Sequence, residues 1–244
     1  MTESSESRLI EIRKKIMQSL ESKGSIQHLT AFYGDDPESK IGLELDRDGG
    51  VVVRSPDEKR PPKVECKRHE GTFSFQISLK DVESSGNLDL DQIIVNRAAE
   101  HISRKENSRL AEALNELSEK VFEGKVGFTE AEDWIKNNTS QSPDHILVDP
   151  GNQNIFESVG SKSSFRQTKY PSHMGTIHNA EVSFSHGCRK HVALTYRRDK
   201  VRFVREDLRI EFDWDEDPSS LRIDEKYIVE AHPQALAKIE SVNS

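Results

Sequence analysis

Apolar residues are scarce in this chain. Of 244 residues 33% are hydrophobic, and the 13 glycines raise the share to about 38%, against ~45–50% for the same residue set in an ordinary globular protein. Such a chain builds a thin core. That suits a flat or extended subunit that buries further surface against copies of itself. Only two cysteines occur, Cys66 and Cys188, too few for a disulfide framework. No apolar run approaches ~18 residues, so no membrane span is expected. The opening Met-Thr-Glu-Ser-Ser-Glu-Ser-Arg lacks the basic-then-apolar order of a secretion signal, and a soluble product of a cytoplasm is expected. The Asn137-Asn138-Thr139 glycosylation triplet is then read as chance. Excess positive charge is missing too. The formal net charge is −8, which excludes a simple basic nucleic-acid binder. There is no Gly-Xaa-Ser-Xaa-Gly elbow, no phosphate-binding glycine loop and no His-Glu-Xaa-Xaa-His, so no catalytic, cofactor or metal residue is assigned.

Periodicity is what the chain does have, and the length fits one large domain or two modest ones. Leu9, Ile12, Ile16 and Leu20 recur at helical spacing and Gly24 is a stop, so residues 8–23 read as a helix. It is either a mobile, partner-dependent arm or a docked core helix. Ile41 to Leu45, the Asp48-Gly49-Gly50 turn and Val51 to Val53 make a hairpin signal. A polar stretch with Pro56, Pro61 and Pro62 follows, and then extended segments at 64–67 and 72–79. Residues 88–121 give the strongest helical pattern, with Leu90, Ile94, Ala98, Ile102, Leu110, Leu114, Leu117 and Val121 on one face. Some 30 residues make a rod of roughly 45 Å. Its polar centre, Ser103 to Arg109, reads as exposed or bent.

Thr129-Glu-Ala-Glu132 reads as a capping box opening a helix at about 130–138. His145 to Val148 reads as a buried strand, and 152–175 as loops with one short helix. From 177 to 231 strand dominates: Leu208, Ile210, Phe212 and Trp214 alternate with charged residues, and Tyr227, Val229 and Ala231 take up the period of two again. Pro233 then sits where a first helical residue belongs, predicting a final helix through Ala235, Leu236 and Ile239.

The stretch 173–191 carries four of the nine histidines and one cysteine. Read as one strand from 178 to 188, it puts His178, Val182, His186 and Cys188 on a single face. At ~3.3 Å per residue, His178 and His186 stand about 26 Å apart and cannot share an ion. Only His186, Cys188 and His191 could converge, and zinc sites show tighter paired spacing. Strand and turn histidines are the favoured reading. The Asp213–Asp217 cluster reads as a solvated turn, and Lys67-Arg68 and Arg197-Arg198 as surface charge.

The order of elements resembles the Hong Kong 97-type major capsid protein fold of tailed double-stranded DNA viruses, shared by encapsulins. Phe75-Gln-Ile-Ser-Leu-Lys-Asp-Val-Glu-Ser-Ser, then Leu88-Asp-Leu-Asp-Gln-Ile-Ile and Ala98-Ala99-Glu100, looks like the entry to that family's spine helix. Trp134-Ile-Lys with Pro143-Asp-His-Ile-Leu-Val-Asp-Pro is similar to a passage of its axial domain. Leu208-Arg-Ile-Glu-Phe and Tyr227-Ile-Val-Glu-Ala-His-Pro look like its closing strands. The likeness covers roughly 73–240. It implies an α+β chain with an N-terminal arm at 1–40, an extended β-hairpin loop at 41–72, a peripheral domain with the spine helix at 73–122 and 201–244, and an axial domain at 123–200.

The implied function is non-enzymatic: self-assembly as pentamers and hexamers into an icosahedral shell around double-stranded DNA, in a virion made in a host cytoplasm. Portal, scaffolding or cement proteins are the further partners it implies, with no membrane and no cofactor. One alternative is an encapsulin compartment with protein cargo, whose cargo groove requires the N-terminal helix packed inside. The other is a metal-dependent enzyme using His186, Cys188 and His191. Lys59, Lys63 and Lys67 lie where some relatives carry a cross-linking lysine, but no pairing is assigned.

Overall fold

The computed structural model describes residues 3–23, 29–30, 32–35, 44–45, 51–52, 66–78, 90–124, 126–152, 173–177, 179–213 and 220–240. The proline-bearing stretch at 53–65, residues 153–172, where loops and one short helix were expected, residue 178 and residues 214–219 lie outside them, so Lys59, Lys63, His178 and most of the acidic cluster are not placed.

Helix α1 (Glu3–Lys23) begins earlier than expected and is docked. Ile12, Ile16 and Leu20 are fully buried and share a cluster with Ile94, Val95, Ala98 and Ile102 of α2 (Leu90–Leu117). Arg8 holds Asp91 at 2.6 Å across the same contact. The mobile-arm reading is therefore corrected: the sparse apolar positions of α1 fall on one stripe, and that stripe is covered.

Helix α2 ends at Leu117, four residues short of the expected end. The Ser118 amide still bonds the Leu114 carbonyl at 3.0 Å, and the chain then runs into strand β5 (Lys120–Glu123), where Val121 is exposed. Val121 kept the helical period by coincidence.

Two sheets flank α2. The first has the order β1 (Phe32–Asp35), β10 (Val201–Asp213), β11 (Ser220–Ala231), β4 (Lys67–Ser78). Its long strands β10, β11 and β4 are antiparallel over twelve registered positions between β11 and β4, from Ser220↔Ser78 to Ala231↔Lys67. Alternation along them buries Phe73 and Ile77 of β4, with Ile223, Tyr227 and Val229 of β11, against the helices. The small hairpin expected near 41–53 forms as β2 (Glu44–Leu45) against β3 (Val51–Val52).

The second sheet has the order β5, β12 (Leu236–Glu240), β9 (Ala193–Tyr196), β6 (His145–Val148), β8 (Ala180–Phe184), β7 (His173–Ile177). Helix α3 (Gly127–Thr139) covers it through Phe128, Ala131 and Ile135. The helix starts at Gly127, and its N-cap, Val126, makes no side-chain cap bond. The Thr129 amide bonds the Val126 carbonyl at 3.0 Å, so Thr129 lies inside the first turn and caps nothing, contrary to the capping-box expectation.

Two further expectations are corrected. Pro233 opens only a 3-10 turn, Pro233–Ala235, and the expected final helix is strand β12. This strand pairs parallel with β5 and antiparallel with β9, which buries Leu236, Ala237 and Ile239. Residues 236–240 thus join the second sheet rather than the first. The histidine stretch is not one strand either. It folds back between β7 and β8, where Asn179 takes φ 71°, and turns again after Phe184.

Candidate functional site

The polar centre of α2 is where the molecule is tied together. Glu106 faces the first sheet. Its Oε1 accepts from Arg205 Nη2 of β10 at 2.6 Å, and Arg205 Nε lies 3.7 Å from Glu225 Oε2 of β11. All three side chains are essentially shut off from solvent. Two carboxylates and one guanidinium in that setting are held by geometry, because breaking the set leaves a buried charge uncompensated. The stretch expected to be exposed or bent is therefore the buried joint between helix and sheet.

Beside the triad sits an aromatic stack. Phe203 and Tyr227 lie 5.3 Å apart with their rings 7° from parallel. The phenol end of Tyr227 covers Gly71 of β4, where an added Cβ would stand 2.3 Å from the hydroxyl. No side chain fits there. Burial pushes the Tyr227 phenol up to about 12.

The turn at Ser185 to Cys188, in the histidine stretch, docks on the same helix. Ser185 Oγ donates to the Asn107 carbonyl at 3.1 Å. A Cβ on Gly187 would lie 1.9 Å from the Ser108 carbonyl oxygen, so the turn touches the helix backbone. Cys188 is buried in the cluster formed by Leu110, Ala111 and Leu114, and that burial pushes its thiol well above the ordinary range. His186 and His191 are exposed, and His191 has φ 64°.

The three residues of the metal-enzyme alternative thus point to different environments. A thiolate ligand must be ionised, and burial opposes ionisation here. Among the described residues no three His, Cys, Asp or Glu side chains gather as a metal cage.

A second histidine, His145 on β6, is buried between two acids that the sequence did not single out. Its Nδ1 lies 3.4 Å from Asp144 Oδ1, and its Nε2 lies 3.3 Å from Glu181 Oε2 on the neighbouring β8. Neither contact has hydrogen-bond geometry. Burial would raise the Asp144 carboxyl. The His145 side chain and the Arg198 amide, which donates at 2.6 Å, outweigh that and hold it low. Tyr196 donates its hydroxyl to the Leu29 carbonyl at 3.0 Å, tying the segment after α1 to the second sheet.

The outer face of the first sheet is a chequered charge surface. Asp207 stands opposite Lys226, Arg209 opposite Asp224 and Glu211 opposite Arg222. These rungs line an open cleft of about 720 Å³. Lys67, from the lysine trio, begins β4 and pairs with Glu119.

These features define a scaffold: a long helix packed against a four-stranded sheet built on long antiparallel strands and a six-stranded mixed sheet of short ones. This is the class of frame that shell proteins of the Hong Kong 97 type use. No protein-family profile and no curated protein matches the sequence. Solved structures do match. The virus-like particle from Pyrococcus furiosus superposes with a TM-score of 0.53 at 12% identity, over 94% of this chain and 98% of that one. The capsid of a native GTA particle gives 0.52 at 9% identity, and that of the empty GTA particle 0.51 at 10%, each over 90% of both chains. The chain has the Hong Kong 97-type capsid fold, in an α+β arrangement.

Proposed function

We propose that the chain is the major subunit of a closed icosahedral shell that encloses double-stranded DNA, and that it acts without catalysis. The single observation that carries this is the likeness over about 90% of the chain to capsid and particle subunits. The fold reading is supported by the thin apolar composition, which a subunit with large contacts to its neighbours tolerates. A flat subunit repeating one heterologous contact around local five- and six-fold axes closes a shell with a small change of angle.

In this reading α1, α2 and the first sheet form the peripheral unit, and the second sheet with α3 forms the axial unit. The hairpin of β2 and β3 reaches over a neighbour. Portal, scaffolding or cement proteins are further partners of such a shell, and the virion is where it resides.

The compartment with protein cargo has one observation in its favour, the docking of α1 on α2. The two readings separate on contents. Electron microscopy of the purified protein, with the nucleic acid content of the particles measured, decides between them. Hollow or DNA-filled shells support the first. Shells that copurify with a stoichiometric protein and no nucleic acid support the second. A monomer that forms no particle at any concentration or salt sinks both.

A further inference from the structure

Charge is unevenly spread over this acidic chain. On the open side of α2, positions 97, 100, 101, 104, 105 and 108 form one stripe, since residues three and four apart are helix neighbours. The stripe carries Arg97, Arg104 and Lys105, with Glu100 as the only acid among them, held by Arg104 at 2.5 Å. Arg104 and Lys105 are exposed. The turn after β8 lands at the end of this stripe. Gly187 touches the Ser108 backbone and Ser185 bonds Asn107, so the exposed Arg189 and Lys190 follow two and three residues after a contact with the end of the stripe. His101, His186 and His191, all exposed, lie on the same two segments.

We infer that this stripe is a docking surface for the phosphate backbone of nucleic acid. Arg97, Arg104, Lys105, Arg189 and Lys190 bring five cations to these two segments, with Glu100 and, one turn on, Glu112 as acids on the helix face, on a chain whose overall charge is −8. The helical part, from position 97 to 108, is about 16 Å long. A duplex presents about ten phosphate charges over that length, a density that suits a row of cations spread along a ridge rather than gathered in a pocket. Phosphate contacts of this kind carry no base sequence. That matches the absence of any groove-reading motif. The glycine at 187 is what brings the two basic segments together, because any side chain there would hold the turn off the helix. The inference deepens the shell reading by naming the lining that meets the packaged polymer.

The probe is a 30-base-pair duplex, and the readout is fluorescence anisotropy with the purified full-length chain between 50 and 200 mM salt. If about four phosphates are neutralised, log K against log salt has a slope near −3.6. The double variant Arg189→Glu/Lys190→Glu is expected to lose at least about tenfold in affinity at 50 mM salt and to flatten the slope by about 2. Its melting temperature and its particles by microscopy should match the parent, with less nucleic acid inside. Arg104→Gln/Lys105→Gln repeats the test from the helix side should the turn variant not fold.

Unchanged affinity and slope in both variants would overturn the inference. So would polyglutamate competing as well as duplex, which would assign the stripe to an acidic protein. Subunits that bind duplex normally but no longer assemble would reassign it to a subunit contact. A parent chain that binds duplex with this slope yet never forms shells would sink the shell reading and leave this inference standing.

Discussion

Arg205 on β10 donates through Nη2 to Glu106 Oε1 on α2 at 2.6 Å, and neither side chain is more than 1% exposed. The pair, with Glu225, joins the 28-residue helix α2 to the long strands β10 and β11. Glu106→Ala is expected to cost about 3–5 kcal/mol, since it leaves a buried guanidinium short of a partner. Thermal melting measures it. A loss under 1 kcal/mol would mean that water reaches the joint.

Gly187→Ala is expected to lower stability by at least about 1–3 kcal/mol, because the methyl would meet helix backbone rather than a side chain that can swing away. Gly124→Ala is the control. Gly124 has φ 64° with nothing within 4 Å, so its cost should be the backbone conformation alone, about 1 kcal/mol. Equal losses in the two variants would contradict the close approach of the turn to α2.

Ile16→Ala should cost about 2–5 kcal/mol by opening a cavity under α1. Ile10, 64% exposed one stripe away, should tolerate alanine within about 0.5 kcal/mol. Removing residues 1–24 is therefore expected to lower the melting temperature, not to leave the fold untouched. A truncated chain with the parent's melting temperature would show that α1 adds nothing to the subunit.

The raised Tyr227 phenol ties stability to alkaline pH. The unfolded chain loses that proton near pH 10, whereas the folded chain keeps it up to about 12. Between those values the folded state binds more protons, so stability falls as pH rises. Tyr227→Phe should flatten this part of the pH profile. A profile from pH 10 to 12 identical in parent and variant would mean the phenol is not held in its neutral form.

Chelation should leave the melting temperature unchanged, because the Cys188 thiol is buried and protonated while His186 and His191 face outward. Elemental analysis showing near-stoichiometric zinc would reverse this.

Local pattern carried the elements whose partners are close or whose period is long. The apolar stripe of α2, the alternation of β10 and β11, and the buried run at His145 to Val148 were all legible. What failed were decisions taken at long range. Leu236, Ala237 and Ile239 fit a helix turn or a strand equally well, and the open edges of β5 and β9 settle the matter. Glu106 in an apolar helix looks like a solvated residue until Arg205, 99 positions later, is placed beside it. The histidine stretch was legible in its alternation but not in its turns, because Asn179 in left-handed backbone carries no period. The contact of Gly187 with α2 had no signal beyond the glycine itself.

Strand β12 has a consequence for how the subunit is made. It lies between β5 and β9, yet it leaves the ribosome after every other strand of both sheets. Until residues 236–240 emerge, β5 has no partner strand and the second sheet has a gap in its interior. Domains tend to fold as units during synthesis, and long-range pairing is slow to form. The nascent chain can therefore complete its first sheet once β11 is made and can pair β9, β6, β8 and β7, whereas β5 joins the second sheet only when β12 follows. Until then the edge of β9 that β12 will cover stays open, by the order of the strands alone.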